Sequence, residues 1–198
     1  MRNYDGLKNK LKLDLIATIS FFPVEIRTEC NEVTQNLEEI IDKNIYDYIK
    51  IIEHIQTVIA MYKFTLIGHT SEEELKEQRK IPDSRINLYV ELKRFCEMLI
   101  EIYRILCDLD LLEIMIQKLK DKGKIETANF LADVLEKIDT DILNQGTDGK
   151  ALNDLYTSLP MVSYELETFS TTDDLFRTTM IIINSIYFDL KTIYRKYE

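Results

Sequence analysis

Proton-transfer chemistry in a chain of 198 residues would start from histidine, and only two are present, His54 and His69. His54 stands beside Glu53 on the flank of a long apolar segment; His69 follows Gly68 in a loop-like stretch. A nucleophile, base and orienting group need a histidine close to a serine or cysteine, and no GxSxG elbow points to one. A phosphate-binding loop, a GxGxxG turn and an HExxH helix are also missing from the sequence. The expectation is a non-enzymatic protein that uses no cofactor.

Carboxylates are the remaining chemical resource. Helical bundles hold metals between inward Glu ligands and Glu-x-x-His pairs, so Glu53, His54, Glu97, Glu101 and Asp110 are the candidate metal ligands. Acids at such spacings more commonly form a solvated helix face. Residues 123–142, GKIETANFLADVLEKIDTDI, resemble the late helix of ferritin-like proteins, mini-ferritins included, in which an acidic glycine turn leads into a helix of this pattern. The resemblance implies a carboxylate-bridged metal bundle. Where the family's Glu-x-x-His falls, this chain has Ile138 and Asp141, so the ligand pair is not reproduced. Cys30, Cys96 and Cys107 have no metal spacing. On one helix Cys96 and Cys107 would stand ~16 Å apart at ~1.5 Å per residue, too far for a disulfide. Three free core thiols, an odd number, point to a reducing, cytoplasmic compartment.

The elements that must position these groups are helices. From Ile86 to Leu119, 22 of 34 residues are apolar and none is Gly or Pro, which predicts one long central helix. Arg94, Glu97, Glu101, Arg104 and Asp108 recur at three-four spacing on one stripe, opposite Leu88, Leu92, Phe95, Leu99, Ile102 and Leu106. After Asp108 the polar series continues as Asp110, Glu113, Gln117 and Lys120, displaced by about 200° of rotation. Either the helix breaks near Cys107 to Leu111, or a continuous rod changes its wet side and brings Asp110 and Glu113 inward.

Before that helix, Leu7, Leu11, Leu15, Thr18 and Phe22 mark a first stripe ending at Pro23. Ile26, Cys30, Val33, Leu37 and Ile40 continue the pattern; after a one-residue skip it resumes as Ile41, Ile45, Tyr48, Ile52, Ile55, Ile59, Tyr62 and Leu66. A kink or a short helix-to-helix turn is expected at the skip, near Asp42 to Asn44. Gly68 stops this element, Ser71 and Glu74 form a capping box for a short polar helix, and Gly123 closes the central one. Ile125, Ala128, Leu131, Leu135, Ile138 and Ile142 make the next seam. Two short helices over 152–169 precede a last one, capped near Thr171 or Thr172 and buried along Phe176, Met180, Ile183, Tyr187, Leu190 and Tyr194.

Five Gly and three Pro, with no strand-like alternation, make the expected class all-α: a single-domain bundle over 1–198 of five to seven mostly antiparallel helices. The net charge of −10 is spread out, at +1 for residues 1–30 and negative in every later stretch, so no nucleic-acid partner is expected. Membrane contact is expected only as weak surface affinity of the basic, amphipathic residues 1–22. Two apolar stripes facing different ways exceed what a simple bundle covers, so the expected function is a structural or interaction protein that binds a protein partner or self-associates. A ferritin-like or otherwise carboxylate-rich metal-binding bundle is the alternative.

Overall fold

The computed structural model describes residues 4–43, 47–68, 81–140 and 174–197, with side chains of the last run described at 177–179 and 181–189. Seven helices are formed among them: α1 (Asp5–Ser20), α2 (Val24–Glu29), α3 (Asn31–Asp42), α4 (Tyr48–Ile67), α5 (Asp83–Asp121), α6 (Ile125–Ile138) and α7 (Asp174–Tyr197). No strand occurs among the described residues, and the protein is an all-α bundle. The capping box at Ser71, the segment 147–169, the Thr171 and Thr172 caps and the seam residues Ile45, Ile142, Phe176, Met180, Leu190 and Tyr194 lie outside the described residues or side chains.

The chain divides into two compact units, one of residues 8–100 and one of residues 1–7 with 101–198. The boundary falls inside α5 rather than in a linker.

Within residues 8–100 the expected spacing builds the core. Leu11 and Leu15 of α1, Ile26 of α2, and Val33, Leu37, Ile40 and Ile41 of α3 are all buried. The apolar run through Cys30 is broken into two helices there: α2 starts after Pro23, whose carbonyl accepts from Ile26 N at 3.1 Å, and Thr34 N then donates to Cys30 O at 2.9 Å to open α3. The helix stops where the skip falls, α3 ending at Asp42 with Lys43 extended, and α4 begins where Asp47 caps it, accepting from Lys50 N at 3.3 Å. The α4 seam differs from expectation: Tyr48, Ile51, Ile55, Val58, Tyr62 and Leu66 are buried, whereas Ile52 and Ile59 are only half-buried. Both Ile51 and Ile52 are apolar, so three-four spacing alone admits either; in the structure Ile51 is the buried one, on a helix that packs with α3. Lys12 pairs with Asp42 at 2.6 Å, tying α1 to the end of α3, and Arg85 pairs with Glu29 at 2.7 Å, tying α2 to the start of α5.

Helix α5 is continuous, so the rod is not interrupted near Cys107 to Leu111. Its exposed side does change. Asn87, Glu91 and Arg94 are exposed in the first half while Leu88, Leu92 and Leu99 are buried; in the second half Glu113, Gln117 and Lys120 are exposed while Leu112, Ile116 and Leu119 are buried. Between Phe95 and Leu109 apolar side chains are buried nearly all round, the passage from one packing side to the other.

Within the other unit, Gly123 at φ +73° ends α5 as expected. Gly123 N donates to Lys120 O and Lys124 N to Leu119 O, both at 2.9 Å, the paired bonds of a Schellman turn. Ala128, Leu131, Leu135 and Ile138 of α6 are buried, but Ile125, the first residue of its helix, is exposed, contrary to expectation, because the seam starts one turn later with Thr127 and Ala128. On α7 the buried residues are Thr179, Ile182, Ile183 and Ile186, with Tyr187 only half-buried at their edge. No described helix is long and apolar enough to cross a membrane.

Candidate functional site

The phase change in α5 decides where its carboxylates go. Glu101 and Asp108 belong to the first-half wet stripe but sit at the level where the second half begins to be covered. Consequently the Glu101 side chain is only 15 % exposed although it pairs with Arg104 at 3.3 Å. Asp108 is half-buried; burial pushes its carboxyl above the usual range, opposed by a hydrogen bond from Ser185 of α7. One turn further along α7, Asp189 meets the same two acids. Burial first, then a hydrogen bond with Glu101 and the charges of Glu101 and Asp108, push its carboxyl from 3.8 to about 7, with Arg104 pulling the other way. Three acids thus face one arginine, and Asp189 holds its proton well above the usual carboxylate range. Of the two carboxylates that a continuous rod could bring inward, Asp110 is half-buried and Glu113 exposed.

The remaining metal candidates go elsewhere. Glu53 and His54 are both exposed on α4, and Glu97 lies 3.7 Å from Lys93. Among the described residues no three His, Cys, Asp or Glu side chains form a group that could hold a metal ion.

A second polar cluster, in residues 8–100, was invisible in the sequence because its members come from separated segments. Tyr62 of α4 is 0 % exposed, and its hydroxyl is surrounded by Thr34 of α3 and, within electrostatic reach, the buried thiols of Cys30 and Cys96. Burial drives the Tyr62 hydroxyl far above its usual range and the Cys96 thiol up to about 12, aided by Glu97; Cys30 is raised by burial and Glu29 against Arg85. All are neutral at physiological pH, and the three cysteines are free. The Thr34 hydroxyl interacts with that of Tyr62 and opposes the rise, an effect smaller than that of burial. Thiols so raised are poor nucleophiles.

The third feature is apolar and exposed. On α1, Leu13, Ile16, Ala17 and Ser20 face away from the buried Leu11 and Leu15, and the surface runs on through Phe21 and Val24 at the turn into α2. Leu13 is 64 % exposed, Val24 61 % and Phe21 86 %. The lysines beside this face are engaged within the chain: Lys10 with Asp14 at 2.9 Å, Lys12 with Asp42, and Lys8 with the Asp42 carbonyl at 3.1 Å. In the other unit, α7 exposes Ile181 and Phe188, seven residues apart and therefore on one side, opposite its buried isoleucines. Comparison of the chain with protein-family models, curated proteins and solved structures finds no match.

Proposed function

We propose that this chain is a non-enzymatic helical interaction module that self-associates or docks a protein partner through the apolar face of α1 and α2, in a reducing, cytoplasmic setting. The observation that carries the reading is the exposure of four large apolar side chains close together in the chain, Leu13 and Ile16 on α1, Phe21 in the turn after it and Val24 at the start of α2. Single exposed apolar residues are ordinary, whereas a contiguous set is characteristic of association surfaces. Covering it contributes roughly 25 cal/mol per Å² of apolar surface removed from water. The lysines at its margin are already paired with acids, which weakens attraction to an anionic lipid surface and favours a protein occupant.

Sedimentation velocity over a concentration series tests the reading, with the Leu13→Lys/Phe21→Lys variant as control. The wild-type chain is expected to form a dimer or larger species that the variant does not form at unchanged helicity. A photo-reactive residue at position 13 or 21 extends the test to a protein partner. A chain that stays monomeric throughout, and that cross-links no more at those positions than at exposed Thr57, overturns the proposal.

A further inference from the structure

An ionised carboxylate accepts hydrogen bonds and has nothing to donate, so when two carboxyl groups bond one another, one of them must carry a proton. Asp189 of α7 and Glu101 of α5 are such a pair, both within the unit of residues 1–7 and 101–198. The Glu101 side chain is only 15 % exposed and also accepts from Arg104 at 3.3 Å, which makes Asp189 the donor of the pair. Four residues earlier on α7, Ser185 bonds Asp108, which stands seven residues beyond Glu101 on α5. The two contacts run in opposite chain directions. They therefore stitch antiparallel stretches of the two helices together beside the buried Ile182, Ile183 and Ile186. The charged groups acting on Asp189 are Glu101, Asp108 and Arg104, all on α5.

We infer that Asp189 and Glu101 form a proton-operated latch: with the proton bound, Asp189 donates to Glu101 and holds α7 on α5, and with it lost the two carboxylates repel and α7 opens more often. The proton leaves Asp189 for water, and a hydrogen bond is replaced by a like-charge contact that the single Arg104 only partly offsets. Burial first, then the Glu101 bond and the charges of Glu101 and Asp108, hold the proton up to about 7, so the latch works across the neutral range. The Ser185 bond to Asp108 does not use this proton and stays. The consequence is a local opening of one helix, and each opening uncovers Ile182, Ile183 and Ile186.

Hydrogen exchange of the α7 amides over residues 181–189, corrected for the intrinsic pH dependence of exchange, reads the latch. Between about pH 6 and about pH 8 the wild-type protection is expected to fall roughly three- to tenfold, the worth of one hydrogen bond. In Asp189→Asn the side-chain amide donates to Glu101 without titrating, so protection is expected to stay level. Asp108→Asn keeps the pair and is expected to keep the fall, moved to lower pH because one charge that holds the proton is gone. Level protection in the wild type, or an equal fall in Asp189→Asn, overturns the inference. If a variant fails to fold, the wild-type chain decides through the NMR shift of the Asp189 carboxyl carbon: titration near neutrality is expected, and titration in the ordinary carboxylate range refutes the latch.

Discussion

Asp189 is a carboxylic acid whose chemistry departs far from its intrinsic behaviour. Its folded-state value of about 7 lies above its ordinary 3.8, so in that window the folded chain keeps a proton the unfolded chain has released. The stabilisation from this group is therefore complete below 3.8 and is lost as pH rises through about 7. Because Asp189 remains half-exposed, solvent screening trims the effect. Thermal midpoints of wild type and Asp189→Asn at about pH 5 and about pH 8 check this; the variant is expected to gain on the wild type at the higher pH, and a constant difference would contradict it. Leu99, by contrast, is a packing residue, fully buried on α5. Leu99→Ala is expected to cost about 2–5 kcal/mol in a denaturant titration, as large-to-small core changes do. Leu99 was legible from spacing alone. The acid cluster was legible by half: Glu101 and Asp108 stood out as a stripe, but Asp189 comes from a distant helix, and only tertiary packing brings it to them.

Helix ends were among the most readable elements, since a single residue type carries the signal. Gly123 and Gly68 both stop helices with positive φ, at +73° and +84°, and a Cβ added at either would meet nothing within 4 Å. The cost of substitution is then purely backbone strain. Gly68 also has ψ −178°, a region that glycine almost alone enters, whereas Gly123 is in a Schellman turn that asparagine also tolerates. Gly123→Ala is expected to cost about 1–2 kcal/mol, and Gly68→Ala more, up to about 3 kcal/mol; chemical denaturation of both variants ranks them, and an inverted order would contradict the argument. The break at Cys30 was not legible, because the apolar series Ile26, Cys30, Val33 passes through it in step. The choice of Ile51 over Ile52 was equally hidden, both being the same residue type. In each case the pattern fixes that a helix buries a stripe, and neighbouring helices fix which stripe.

At the scale of the whole molecule, composition was enough for the all-α class, and the displaced polar series was enough to anticipate that α5 changes its wet side. Two units sharing one helix were not anticipated, since nothing in the local sequence of Ile100 and Glu101 marks a boundary. The arrangement makes a further prediction. One alanine inserted between Asp108 and Leu109 turns everything beyond it by about 100°, so that Leu112, Ile116 and Leu119 leave their buried side. Calorimetry of that variant is expected to show the single cooperative transition lost or strongly lowered, while the same insertion after Gly68, beyond the end of α4, is expected to change the midpoint little.

The rod of α5, 39 residues and about 58 Å at 1.5 Å per residue, also constrains inheritance. A codon gained or lost within it would turn every helix position beyond it by about 100°. Among descendants of this chain α5 is therefore expected to drift in residue identity while keeping its count.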